Sequence, residues 1–380
     1  MTEPARSSSI AQRGEASNGM ASAGTRRLIR GLAIALSLVL GAGMVEGATR
    51  VVQWLRYGSS VSIYSFEKDP KSGLKIPVPG KRAGSRISIH INSQGFRGPE
   101  LEVPKPAARI RVAFLGGSTT FSAEASRDES TWPHLVWQAL QSAHPRRSFD
   151  YVNAGVPGYR MEELLLNLQR RVQFLEPDVI VIYEATNDLS YDTRKLAEAQ
   201  GIYEHKRRAA TGLARWSVAW SLIEKNMEIL ANQRAAGGGN HRLTFDPALL
   251  SRGFEAKLVE LVEFSKRRAP VVAVATFSHK LRRGQSRDQQ LQAANTALYY
   301  MPYMSIEGLL AGYEEYNRVI REVAKKTQVI LIDDQLMIPG DDRHFNDSVH
   351  FTDLGNSLMA ERVTRYLNSS QSFKDLIRAP

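Results

Sequence analysis

The chain has 380 residues, 43% apolar and 23% charged, a balance that excludes a disordered tail protein and a multi-span membrane protein. Its formal charge is +11, of which +8 lies beyond residue 50 without a long basic run, so nucleic acid is not an expected partner. There is no cysteine, which removes a thiol nucleophile, thiolate metal sites and a disulfide framework.

Residues 1–25 are rich in Ser, Ala and Gly without an apolar period, and the leader 1–27 is read as disordered and cytoplasmic. Arg26, Arg27 and Arg30 then precede an uncharged run of fifteen residues from Gly31 to Val45. As a helix that run spans roughly 22 Å, short of the roughly 30 Å hydrocarbon core. Leu28 and Ile29 lengthen it if Arg30 snorkels to the interface. Residues 28–48 are therefore expected to form a transmembrane signal anchor, with the arginines inside and the body outside. A cleaved signal peptide, cut among the small residues Gly41 to Ala48, is the alternative and would leave a secreted or periplasmic body. Residues 49–107 read as an N-terminal extension. In it Ile87 to Ile91 alternates as a strand, Asn92 to Gly98 forms a turn, and Pro104-Lys105-Pro106 is a linker.

From residue 108 to 370 short apolar runs alternate with helical stripes. Arg109–Leu115, Phe149–Ala154, Asp178–Tyr183, Pro270–Phe277 and Gln328–Ile332 are five strands, Val/Ile-rich without alternation, as in a parallel sheet buried on both faces. Stripes from Met161 to Leu175, Ile306 to Val323 and Leu354 to Leu367 predict helices between and after them. The expected architecture is an open, doubly wound α/β layer sandwich whose sites gather at the carboxyl ends of the strands. Residues 190–247 interrupt the rhythm and are read as an inserted cap, and 371–380 as a tail.

Polar signals fall at those strand ends. Gly116-Gly117-Ser118-Thr119 follows the first strand, Asn153 to Gly158 the second, and Thr186-Asn187-Asp188 the third; Asp347-Ser348-Val349-His350 precedes the last helix. Each alone also fits a plain turn, a phosphate cradle or a helix cap. Asp and His three apart place a carboxylate against an imidazole, which fixes its tautomer and favours its protonated form. In this order the four blocks resemble those of the SGNH/GDSL hydrolase family over about residues 108–368. Gly117 stands where the family commonly has Asp, and Ala185 where it commonly has Gly.

The resemblance implies the SGNH hydrolase fold, a three-layer α/β/α sandwich with a five-stranded parallel, flavodoxin-like sheet, here with an N-terminal transmembrane helix. It implies a serine esterase in which Ser118 attacks an ester carbonyl, His350 moves the proton and Asp347 orients His350. The oxyanion would be held by the backbone N–H groups of Ser118 and Gly158 and by the Asn187 side chain. No cofactor and no metal are expected. The expected partners are an ester substrate, such as an acylated glycan or lipid of the cell envelope, and the membrane through the N-terminal helix. An O-acyltransferase using the same Ser118, His350 and Asp347 and a non-catalytic envelope carbohydrate-binding protein are the rival readings. Asp188 is assigned a structural or capping role. His279 lies at the site edge, His344 reads as a loop histidine, and Tyr299, Tyr300 and Tyr303 around Met301 and Met304 either line a groove or pack under the insertion.

Overall fold

The computed structural model describes residues 11–57, 66–203, 212–237 and 242–378. A 47-residue helix, α1 (Ala11–Tyr57), comes first. The reading of the leader as disordered is thus corrected from Ala11 onward, while residues 1–10 lie outside the described residues. Once an apolar span has nucleated a helix, each further residue adds one hydrogen bond at little cost, and the Ala-rich leader extends it. The stretch Gly24–Leu55 is long and apolar enough to cross a membrane, and none of its apolar window is buried against the protein.

The extension forms two hairpins. β1 (Phe66–Lys68) pairs antiparallel with β2 (Lys75–Pro77), and β3 (Gly80–Ala83) with β4 (Ser88–Ile91). Ile87, Ile89 and Ile91 bury themselves against Phe121 and Ala123, so the second hairpin is packed onto the segment that follows the first long strand. Arg97, fully buried, ties the same region together: its guanidinium donates to Asp128 Oδ1 at 2.7 Å and to the carbonyls of Ser122 (2.7 Å) and Phe121 (3.2 Å).

Five parallel strands make the central sheet: β5 (Arg109–Gly116), β6 (Ser148–Asn153), β7 (Val179–Tyr183), β8 (Val271–Ala275) and β9 (Ile330–Ile332), in the order β6-β5-β7-β8-β9. Every residue of β7 and β8 is buried, which accounts for their unbroken Val/Ile/Ala runs. The chain reverses its winding between β5 and β7, and at that switch point the loops above the carboxyl edge splay apart and leave a crevice.

The helices are α2 (Ser118–Phe121), α3 (Trp132–Ala143), α4 (Met161–Arg170), α5 (Thr186–Ala199), α6 (Gly212–Trp216), α7 (Val218–Gly237), α8 (Pro247–Leu250), α9 (Arg252–Lys266), α10 (Arg287–Ala293), α11 (Asn295–Tyr300), α12 (Ile306–Thr327), α13 (Asp353–Ser369) and α14 (Gln371–Arg378). α3 packs with α13 as one outer layer, and α4, α9 and α12 pack in series as the other. The stripe expected to run unbroken from Met161 to Leu175 is divided. α4 stops at Arg170, a 3-10 turn covers Val172–Leu175, and Glu176 closes it with a φ of 53°. The insertion supplies α6 and α7, and α7 packs against both α1 and α11.

Candidate active site

β5 delivers the chain to its carboxyl edge at Gly116, and the short helix α2 starts two residues later with Ser118 as its first residue. Room at this turn is tight. A side-chain carbon built on Gly117 falls 2.6 Å from Asn187 Nδ2 and closer still to Glu184 Oε2. The φ of Gly117 is −87°, outside the left-handed region, and crowding by its neighbours is what excludes a side chain there. Thr120 anchors the turn by donating to the Tyr183 carbonyl at 3.2 Å, and buried Trp132 donates to the Thr119 carbonyl at 3.0 Å.

Ser118 and His350 lie 232 residues apart in sequence, yet His350 Nε2 and Ser118 Oγ are 2.7 Å apart. His350 Nδ1 lies 2.8 Å from Asp347 Oδ2. The other oxygen of Asp347 accepts the backbone N–H groups of Val349 (2.9 Å) and His350 (2.8 Å), so the carboxylate is fixed by its own turn before it meets the imidazole. Burial by itself would push the His350 pKa down; the facing Asp347 carboxylate outweighs it, and the net shift is upward. Burial likewise works to raise Asp347, but the imidazole and the two N–H groups win and hold it below the usual carboxylate range. An imidazole so placed can take a proton from the Ser118 hydroxyl, and its protonated form is favoured by the facing carboxylate.

Gly158 and Asn187 line the same cavity as Ser118, which has a volume of about 570 Å³. Gly158 sits at φ +87°, where a side chain is strained, at the turn after β6. The Asn187 amide nitrogen donates to the Tyr159 carbonyl at 2.8 Å and sits 3.3 Å from Glu184 Oε2. Asp188 points elsewhere: it accepts the Met161 N–H at 3.0 Å at the start of α4, and burial holds its carboxyl well above the ordinary range.

The residue that sequence reasoning passed over is Glu184. Fully covered directly beneath the Ser118 turn, it accepts the N–H groups of Ala185 (3.0 Å) and Asn187 (2.8 Å), and also that of Gly117. Burial raises its pKa to about 7 against those three donors and the His350 charge. The available signal was the pairing of a missing side chain at Gly117 with a carboxylate at the end of a buried strand, two features that look unrelated until β5 and β7 are adjacent.

The other expectations divide. His279 is not at the cavity edge: it is buried and stacked on Tyr313 with ring centroids 4.2 Å apart, and burial takes its pKa down to about 3. His344 is held by Asp341 at 2.7 Å in its loop. Tyr299, Tyr300 and Met301 line the cavity, whereas Tyr303 and Met304 are core residues. A larger depression of about 660 Å³ lies near the amino end of the sheet, around Arg109 and Asp150, far from Ser118 in the fold.

A family model described as GDSL-like Lipase/Acylhydrolase family matches residues 114–358. Among solved structures the chain is similar to LAE5, an alpha/beta hydrolase enzyme from the metagenome of Lake Arreo, Spain. The identity is 15% and the TM-score 0.42, over 68% of this chain and 94% of that one. It is also similar to Axe2, an acetylxylan esterase from Geobacillus stearothermophilus, at 16% identity and a TM-score of 0.40, over 68% and 93% of the two chains. A lipase/acylhydrolase from Enterococcus faecalis gives 17% identity and a TM-score of 0.41, over 68% and 95%. No curated protein matches the sequence.

Proposed function

The chain belongs to the GDSL-like lipase/acylhydrolase family and hydrolyses ester bonds, and from that premise we propose that it does so as a serine esterase through Ser118, His350 and Asp347. The observation that carries this reading is the unbroken relay from Asp347 through His350 to the Ser118 hydroxyl, open to a cavity. Ser118 Oγ attacks the ester carbonyl as His350 Nε2 takes its proton. The resulting oxyanion is held by the N–H groups of Ser118 and Gly158 and by the Asn187 amide. His350 then gives the proton to the leaving alcohol, and an acyl-Ser118 ester remains. In the second half His350 draws a proton from water as the water oxygen attacks the acyl carbon, then returns that proton to Ser118 Oγ as its bond to the acyl group breaks, and the carboxylic acid leaves.

The substrate we propose is an acyl ester, acetyl foremost, of a cell-envelope carbohydrate. Glu124, Lys225, Asn295 and Thr296 put hydrogen-bonding groups around the cavity, and Tyr299 and Tyr300 add aromatic walls, a composition suited to a hydroxyl-rich alcohol. The catalytic body is proposed to stand outside the membrane on α1, since Arg26, Arg27 and Arg30 precede its apolar run and favour the inner side. The test is turnover of p-nitrophenyl acetate and labelling by a fluorophosphonate, comparing the full chain in detergent with Ser118→Ala. Both signals are expected to vanish in the variant while its melting curve is unchanged. Turnover that survives would remove Ser118 from the reaction.

A further inference from the structure

The insertion carries an apolar face that the protein leaves bare. On α7, Trp220, Ile223, Met227 and Leu230 recur at intervals of three and four residues, which places them on one stripe, and all four are exposed. The preceding α6 adds Leu213 and Trp216, the latter 83% exposed. Lys225 lies on the opposite side of the α7 wheel and lines the catalytic cavity.

This stripe is continuous with the apolar surface of α1. Glu46, the first charge after the uncharged run 31–45, receives the Ser217 hydroxyl (2.7 Å) and the N–H groups of Val218 (2.9 Å) and Ala219 (3.1 Å). It thereby caps the start of α7. Arg50 donates to Glu46 at 2.6 Å and to the Trp216 carbonyl at 2.9 Å. Beside them on α1, Val51, Val52, Trp54 and Leu55 are exposed as well. The charged pair that ends the apolar span therefore also fixes the depth at which α7 begins. Two tryptophans at the water boundary of a span are where amphipathic rings settle, and a bare apolar stripe with a polar reverse side fits a helix lying in the interface.

We propose that the apolar face of α6 and α7 is seated in the interfacial layer of the bilayer, so that the cap is a membrane-docked element and the catalytic cavity opens at the lipid surface. The proposal rests on α1 spanning the membrane. It makes α7 a two-sided helix, with lipid on the side of Trp220 and Met227 and the substrate cavity on the side of Lys225. The ester is then met at the bilayer surface.

The absence of cysteine allows a direct test. The full chain is reconstituted into vesicles of phosphatidylethanolamine and phosphatidylglycerol. Single cysteines at Val39→Cys, Leu213→Cys, Met227→Cys and, as an aqueous reference on α9, Ala256→Cys are labelled with an environment-sensitive fluorophore. Each variant is checked by its melting curve. Lipid-borne doxyl groups are expected to quench the labels at 39, 213 and 227 several-fold more than the label at 256, with aqueous iodide doing the reverse. If 39 is quenched from the lipid but 213 and 227 behave as 256, the docking is overturned and the anchor stands. A label at 39 open to iodide overturns the anchor and the proposal with it. Labels at 213 and 227 shielded from both quenchers overturn the proposal in favour of a second copy of the chain covering the stripe.

Discussion

Gly117→Asp tests the packing beneath Ser118 and can be worked through in numbers. A first side-chain carbon at 117 already stands 2.6 Å from Asn187 Nδ2 and nearer to Glu184 Oε2. Overpacking of this kind costs about 1–3 kcal/mol of stability, and the new carboxylate lies against an existing one. Since about 2–4 °C accompanies each kcal/mol in a domain of this size, the melting point should fall by several degrees. Relief comes by moving Asn187, and with that side chain in its proposed role as an oxyanion donor its loss lowers kcat by about 10²–10³. Glu184→Ala alone should also be harmed. It strands the N–H groups of Ala185, Asn187 and Gly117, at about 1–3 kcal/mol for each buried group left unpaired. The double variant Gly117→Asp, Glu184→Ala restores one carboxylate to one space, and is expected to return to within about tenfold of the parent, a coupling at the upper end of what contacting residues show. Fluorophosphonate labelling rates and melting curves of the four proteins complete the cycle. A Gly117→Asp protein as stable and as reactive as the parent, or a double variant no better than the worse single one, would refute the argument that Glu184 fills the space denied to residue 117.

Asp347→Asn should lower kcat on the order of 10³–10⁴-fold, because the amide no longer stabilises the imidazolium. The pH profile carries the sign: with His350 raised in the parent, activity is lost as pH falls through a midpoint above the ordinary histidine value. Removing the carboxylate leaves burial in control and moves that limb of kcat/KM to lower pH. Glu184 predicts a stability profile. Its folded pKa of about 7 lies above its ordinary 4.5, so the folded state holds the proton more tightly, and stability should fall as pH rises between those values and level off above. The full span corresponds to about 3 kcal/mol, and Glu184→Gln should flatten the parent's melting-point curve over that window. Arg97→Ala removes a buried partner of Asp128 and should destabilise the protein by about 3–5 kcal/mol in denaturant titration. Because Arg97 also holds the Phe121 and Ser122 carbonyls, the labelling rate of Ser118 should drop in the same variant even well below its melting point.

Much of this fold is legible because strands buried on two faces leave no room for polar residues. β7 and β8 announce themselves by composition alone, and the polar blocks that follow each strand mark the edge where the site forms. The relay of Asp347, His350 and Ser118 is legible for a related reason: two of its members share one turn and the third opens a helix. What escaped is whatever depends on which surfaces meet. α3 and α9 were not among the stripes read from the sequence, although Trp132, Val136 and Leu140 in one and Phe254, Leu258 and Leu261 in the other are buried at helical spacing. Glu184 looked like the polar end of a strand until β5 brought Gly117 over it. His279 follows β8 directly and so looked like an edge residue, but the chain folds it inward onto Tyr313. The attachment of α7 to Glu46 joins residues 172 apart and leaves no periodic trace in either segment.

The 232-residue interval between Ser118 and His350 also has a meaning in time. During synthesis Ser118 is complete long before His350 exists, and every strand after β6 must be laid down before the two can meet. On the proposed mechanism Ser118 stays an ordinary alcohol until Asp347 and His350 have closed the last loop. A growing chain then passes through its whole assembly chemically silent, and a chain interrupted anywhere before residue 347 is expected never to acquire reactivity toward esters.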